Sequence, residues 1–442
     1  MEKIEFLRRR EQLMQQVGKG SIVIIPTAPE RQRNRDIHFF YRADSDFYYL
    51  TGFAEPDAVA VLIPEREQGE YILFCREKDP EKETWHGRRA GLEGACQTYG
   101  ADDAFPISDI DEILPGLMEN CRRLYYPMGC YADFDAKVVE WMNHLRGRSR
   151  IGINLPNEIS PLEHTVHEMR LMKTAGEIAA MRRAAEISVL AHQRAMQTCR
   201  AGILEYQLEA EILHEFVRHG SRAPAYPSIV GGGSNACILH YIENTGVLKA
   251  GDLVLIDAGC EYDYYASDIT RTFPINGVFS KEQKAIYQLV LKAQLAAIAK
   301  IRPGARWHEL YDVTVQIITE GLMQLGILKG KSLDRLIAEG DFKKFYMHKA
   351  GHWLGMDVHD VGNYKTDDQW RELQPGMVTT VEPGIYIPAG STGVEERWWN
   401  IGVRIEDDVL VTETGHEVLT AGAQKTVEDI EALMASTRDP NS

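Results

Sequence analysis

The segment LVLIDAGCEYDYYASDITRT, residues 253–272, constrains the fold more than any other stretch of the chain. An apolar strand-like run ends on Asp257, a short turn follows, and a returning run brings in Asp268. A hairpin turning at Tyr262-Asp263 sets the two carboxylates directly across from each other on one face, and Gly259 offers a bulge that would slip the register by one. Cross-strand neighbours have Cβ atoms roughly 4.5 to 5.5 Å apart, and like charges so placed destabilise a sheet unless something compensates them. A solvated turn carrying two acids is the plain alternative, and the rest of the chain decides between the two.

Two more acids occupy strand ends in the same manner. In GMVTTVEPG, Glu382 closes an alternating run and precedes Pro383, and in GVRIEDDVLV, Glu406 lies two residues from Arg404 on the same strand face. The segment between them holds Pro388, Gly390, Gly393 and two tryptophans, which reads as a second, longer hairpin. Hairpins that face each other bring four carboxylates together. Such a set is not buried and ionised without a counter-charge, and a divalent metal is the natural one. A carboxylate-rich set with one imidazole suits harder ions, Mn²⁺ or Co²⁺, with Zn²⁺ compatible, and two ions ~3.5 to 4 Å apart share bridging carboxylates and a hydroxide.

The imidazole candidates are His348, His352 and His359 in HKAGHWLGMDVHD. His348 and His352 have the spacing of a zinc-protease helix, but the residues between them lack its glutamate base, and Gly351 and Gly355 favour a loop or strand. Spacing alone does not choose among the three. His240 is a fourth candidate, in YPSIVGGGSNACILHYIEN, where three successive glycines read as a loop that a ligand approaches closely.

At 442 residues the chain favours more than one domain. Up to about residue 170, the runs SIVIIP, AVAVLIP, YILFC and RLYYP alternate with helical patterns, which predicts an α/β domain with a mixed sheet. A break follows, and Thr174 with Glu177 forms a capping-box signature ahead of a long helical stretch. We place the domains at 1–172 and 173–442. Helical patterns at 175–198, 204–219, 280–301 and 306–326, with the strand runs already quoted, make the second domain α+β. The terminal STRDPNS reads as frayed.

The net charge of −16 excludes nucleic acid and anionic membrane as main partners, and Arg8-Arg9-Arg10 reads as the solvated face of a first helix. Seven cysteines without a Cys-x-x-Cys pair suit a reducing compartment and argue against a thiolate zinc site. The N-terminus lacks the apolar stretch of a signal peptide, and no apolar run approaches the roughly 18 residues of a membrane span, so a cytoplasmic location is expected.

With Asp257, Asp268, His352, Glu382 and Glu406 in that order, the phrases DAGCEY, SDITRTF, GHWLGMDVHDVG, VEPGIYI and RIEDD closely resemble the motifs of the pita-bread metallopeptidases, and within them the aminopeptidase P family. RRREQLMQ and FFYRADSDFYYLTGFAEPDAV resemble that family's N-terminal domain, so the likeness covers nearly the whole chain. It implies a pita-bread fold for the second domain. Asp257 is then the terminal ligand of one metal, Asp268 and Glu406 bridge, and His352 and Glu382 complete the second. His240, His348 and His359 match histidines that line the site and hold substrate or the tetrahedral intermediate, and Arg404 and Tyr386 match site-lining positions. Trp85, in TWHGRRAG, resembles an aromatic lent by a neighbouring subunit, which implies a homodimer or homotetramer.

The implied reaction is hydrolysis of the bond before proline in the second position of a peptide. A metal-bridging hydroxide attacks, His359 stabilises the oxyanion and Glu382 passes the proton to the leaving nitrogen. A prolidase, confined to Xaa-Pro dipeptides, is the nearest rival. A non-catalytic binding module on the same fold is the rival of another class, though it has no reason to keep all five ligand types.

Overall fold

The computed structural model describes residues 2–436, so the tail read as frayed lies outside the described residues except for Ser436. The chain divides into two compact units, Met1–Arg170 and Leu171–Ser442.

The first unit is built on a six-stranded sheet. Its strands are β1 (Ser21–Pro26), β2 (Val59–Leu62), β3 (Tyr71–Cys75), β4 (Asp103–Pro106), β5 (Arg123–Tyr126) and β6 (Glu158–Pro161). They lie in the order β4-β3-β2-β1-β5-β6. Pairings β1/β2 and β2/β3 are antiparallel, whereas β1/β5, β3/β4 and β5/β6 are parallel. The sheet is therefore mixed, as the alternation of strand and helix patterns implies. Strands β1, β2 and β3 are buried along their whole length, which explains why they read as continuous apolar runs rather than alternating ones.

The arginine triplet departs from expectation. It lies on helix α1 (Lys3–Val17), but only Arg8 is solvated; Arg9 and Arg10 are each 2% exposed. Their guanidinium groups donate to the carbonyls of Tyr49 (3.0 Å) and Leu50 (2.8 Å), in the last turn of α2 (Ser45–Thr51). Each also stacks on a tyrosine ring, Arg9 on Tyr49 and Arg10 on Tyr71. Carbonyls left open at a helix C-terminus attract cations, and that need outweighs the cost of desolvating two arginines.

The second unit packs helices α3 (Ala175–Thr198), α4 (Glu205–Arg218), α5 (Lys281–Ile298) and α6 (Trp307–Gln324) around short antiparallel strands. Helix α3 begins at the capping box read from sequence: Thr174 accepts from the Glu177 amide, and the Glu177 carboxylate accepts from the Thr174 amide at 2.9 Å.

Strand β7 (Ile229–Gly232) pairs with β8 (Leu253–Asp257), which pairs with β11 (Thr270–Pro274); the hairpin tip between them is β9 (Cys260–Tyr262) and β10 (Tyr265–Ala266). The hairpin exists, but its register corrects the one expected. Tyr262 pairs with Tyr265 and Asp257 with Thr270, so the turn lies at Asp263-Tyr264, one residue further along. Both turn residues have positive φ, 50° and 68°, the backbone demanded by a two-residue type I′ hairpin turn. Asp268 is thus two residues before the position opposite Asp257, which preserves its face because strand side chains alternate. Gly259 makes no bulge. The register is the same on both sides of it, and a Cβ there would meet the Ser267 carbonyl oxygen at 1.8 Å, so the strands approach too closely for any side chain.

The triple glycine is likewise not a loop. Gly231 and Gly232 end β7, and Gly233 turns the chain with φ +57°. A Cβ at Gly232 would meet Leu248 at 2.6 Å and one at Gly233 would meet Asp252 at 2.7 Å, so the glycines serve packing within the protein.

The second hairpin forms as expected. Strand β12 (Val378–Val381) pairs with β15 (Asp407–Thr412), and β13 (Gly384–Ile387) with β14 (Ile401–Arg404). Val381 faces Asp407 and Gly384 faces Arg404, a single register that sets Glu382 opposite Glu406. The hairpins meet where the Glu406 amide donates to the Thr270 carbonyl at 3.1 Å. No helix among the described residues is long and apolar enough to cross a membrane.

Candidate metal centre

Where the two hairpins meet, a cleft of about 490 Å³ opens. Asp257, Asp268, Glu382, Glu406, Arg404, His240, His348, His352 and His359 all line it, with Tyr226, Leu239, Ile242 and Val358 among the other walls. One atom each of Asp268, His352 and Glu406 lies within 4.8 Å of the others. The three histidines of HKAGHWLGMDVHD stand in no helix, as their glycines indicate. His352 lies instead along β12, its amide donating to the Thr380 hydroxyl and its carbonyl accepting from the Thr380 amide, and Gly351 beside it is needed because a Cβ would meet the Thr380 carbonyl oxygen at 2.0 Å.

His352 is oriented by a backbone carbonyl. Its Nδ1 lies 2.9 Å from the Trp353 oxygen, which only accepts, so Nδ1 carries the proton and Nε2 faces the acids, 3.4 Å from Asp268. His348 donates from Nδ1 to the Lys349 carbonyl (2.8 Å), and its Nε2 accepts from the Tyr386 hydroxyl (2.9 Å). Burial holds His348 neutral, down at about 4. Tyr386 itself is fully buried behind the cleft rather than lining it, and its oxygen accepts from Arg404 at 2.9 Å.

Trp85 is not packed. It is 79% exposed on the short helix Pro80–His86 of the first unit.

Three residues that sequence reasoning missed complete the surroundings. The Tyr226 hydroxyl lies 2.7 Å from an Asp257 oxygen and 2.5 Å from an Asp268 oxygen. Thr270 donates to Glu406 at 2.7 Å. The buried Asp408 carboxylate accepts from the Asp268 amide with both oxygens. Asp408 and Thr270 had a signal, since each lies two residues from a proposed ligand with the same strand parity; Tyr226 had none.

Charge in the cleft is unbalanced. Asp257 is ionised: burial would raise it, but Arg404, 2.7 Å away, and the hydroxyl of Tyr226 hold it below its ordinary value. Burial, then the Asp257 charge, raises Asp268. Burial and three neighbouring acids push Glu406 well above the usual carboxylate range, and Glu382 rises to about 7. Burial lowers His352, but Asp268 and Glu382 lift it to about 9. One hydroxyl proton on Tyr226 serves two carboxylates, so the cluster holds more acceptors than donors. A multivalent cation is the group this donor set fits, because it neutralises acids that otherwise take up protons.

The consequence for stability has a definite sign. Glu382, Asp268 and Glu406 bind protons more tightly folded than unfolded, so their contribution is full at low pH and is lost as pH rises, for Glu382 between its ordinary 4.5 and about 7. Metal-stripped protein should therefore lose Tm relative to metal-loaded protein as pH is raised from about 5.5 to 7.5. Differential scanning fluorimetry of both forms measures the gap; a gap that narrows with rising pH contradicts the assignment.

Two antiparallel hairpins wrapped by helices, presenting a buried Asp, Glu and His donor set at a cleft, define a metal-dependent hydrolase of the pita-bread class. Residues 179–413 match metallopeptidase family M24, and residues 6–125 match the aminopeptidase P N-terminal domain. The Xaa-Pro aminopeptidase of Escherichia coli strain K12 is 48% identical over 98% of both chains. The chain belongs to family M24 and, within it, to the Xaa-Pro aminopeptidases. The structure of Pseudomonas aeruginosa aminopeptidase PepP, 58% identical, matches 99% of both chains with a TM-score of 0.98. Zinc-substituted E. coli aminopeptidase P in complex with product, 48% identical, matches 99% of both with a TM-score of 0.96.

Proposed function

We propose that the protein releases the N-terminal residue from peptides whose second residue is proline, with two divalent cations, Mn²⁺ foremost. Asp257, Asp268, His352, Glu382 and Glu406 would hold them. The observation that carries the reading is the acceptor-rich cluster on paired hairpins in a chain whose full length aligns with an Xaa-Pro aminopeptidase. When bound, divalent cations supply a water acidified to near neutrality and polarise the scissile carbonyl.

The protein's own groups do the rest. Arg404 keeps Asp257 ionised, and the acidic floor holds the substrate's α-ammonium group. Glu382, lifted toward neutrality, is suited to carry a proton to the departing prolyl nitrogen. His359 and His240, exposed on the cleft wall, reach the substrate carbonyl. A prolyl nitrogen has no N–H and its ring fixes φ, so the bond is a tertiary amide for which a dedicated site is needed.

The seven free cysteines support a reducing, cytoplasmic setting. The exposed Trp85, with Phe39 and Phe40 on the same unit, supports a homodimer or homotetramer in which Trp85 meets a neighbouring subunit; sedimentation of Trp85→Ala tests it.

The deciding experiment gives metal-stripped protein an Xaa-Pro-Yaa tripeptide and an Xaa-Pro dipeptide, with and without Mn²⁺. Manganese-dependent release of the first residue from the tripeptide is expected. Cleavage confined to the dipeptide would instead make the protein a prolidase, and no cleavage under any divalent cation would favour a binding module.

A further inference from the structure

Away from the donor set, one buried ion pair stands out. Lys173 Nζ lies 2.9 Å from Asp360 Oδ2, and both side chains are only 1% exposed. Lys173 lies just ahead of α3, and its amide donates to the Gly376 carbonyl at 2.9 Å. Asp360 ends the loop that begins at Trp353, with His352 immediately before that loop and His359 at its last turn. The pair fills the space over Gly355, where a Cβ would meet Asp360 Oδ2 at 2.1 Å and Lys173 Cε at 3.0 Å.

The connection to the site runs through one carbonyl. The Trp353 oxygen accepts from the Asp360 amide at 2.9 Å and from His352 Nδ1 at 2.9 Å. The rings of His352 and His359 then pack edge to face, 4.4 Å between centroids. A shift of Asp360 therefore moves the carbonyl that sets the His352 ring and the backbone that carries His359.

Taken alone, a buried ion pair is weak evidence for stability, since desolvation offsets most of the attraction and well-packed neutral replacements are often as stable. What a desolvated Lys–Asp contact adds is a fixed geometry. We propose that Lys173 and Asp360 are positioning residues for the reaction: the pair clasps the Trp353–Asp360 loop and so aims His352 at the cation and His359 at the substrate. This rests on the proposed function for its substrate arm only; the cation arm stands on His352 alone.

The test compares Lys173→Met, the double variant Lys173→Met/Asp360→Asn, and the parent. Mn²⁺ affinity is measured by titration calorimetry, kcat and KM on an Xaa-Pro-Yaa tripeptide well below every melting point, and Tm by calorimetry. Lys173→Met takes the only cation of this pair away from a buried carboxylate and should lower Tm. The double variant removes the uncompensated charge and should recover most of the lost Tm. It should nevertheless bind Mn²⁺ about tenfold more weakly, because the carbonyl that orients His352 is displaced, and lose roughly tenfold to 100-fold in kcat with a smaller change in KM. A double variant with parental Mn²⁺ affinity and kcat overturns the proposal, and so does one that fails to fold, since the pair would then be a folding element. A parent that cleaves no Xaa-Pro peptide yet shows the Mn²⁺ difference would sink the proposed function and leave the positioning role standing.

Discussion

Glu406→Ala should lower kcat on an Xaa-Pro-Yaa tripeptide by about 10³-fold or more, while making the metal-stripped protein more stable. The first effect follows from position: Glu406 faces Glu382 across the second hairpin and shares one locus with Asp268 and His352. Transition-state stabilisation by a bound cation is worth several kcal/mol, and ~4 kcal/mol corresponds to about 10³ in rate. The second effect follows from charge. Burial and the acids around it push Glu406 far above its usual range, so at neutral pH the folded metal-free chain must bind a proton there, and removing the residue removes that cost. Steady-state kinetics, metal analysis and melting of parent and variant with and without Mn²⁺ check both. Glu417→Ala, which breaks an exposed pair with Arg182, is the control and should change neither. A metal-stripped Glu406→Ala protein that melts below metal-stripped parent would refute the charge argument.

Arg404→Met should cost about 3 to 5 kcal/mol of stability and at least roughly 10²-fold in kcat/KM, because one member of a buried pair is removed and the other is left charged. Arg404 is 3% exposed and spends its guanidinium on four partners: Asp257 and, at 3.5 Å, the Leu239 carbonyl through Nη2, the Tyr386 hydroxyl through Nη1 and the Thr270 hydroxyl through Nε. Losing it frees Asp257 to be raised by burial and lets Tyr386 and His348 turn. Arg404→Lys should not restore activity, since an ammonium cannot span these separated acceptors. Urea unfolding and kinetics on both variants measure this; a lysine variant of parental activity would show that charge alone is required.

Much of the site was legible because its chemistry is local in sequence. Each acid closes an apolar run, and alternation fixes which face it takes, so the paired hairpins follow from pattern alone. The same parity explains why a register error of two residues still left Asp257 and Asp268 on one side. The error itself arose in the turn, where a tyrosine with positive φ is not what composition suggests. Choosing His352 from three histidines took a family resemblance, because the carbonyl that orients its ring belongs to the next residue's backbone and leaves no mark in spacing. Arg9, Arg10 and Tyr226 were unreadable for one shared reason: their hydrogen-bond partners lie 31 to 42 positions away and are joined to them only by the fold.

The surplus of acceptors at the hairpin junction also bears on how long a molecule survives in the cell. Anything that binds only the folded chain adds to its stability, so cation supply sets the fraction of molecules open to proteases at any moment. During cation starvation, copies lacking metal would be degraded ahead of loaded ones, and the enzyme's abundance would follow the metal available to it.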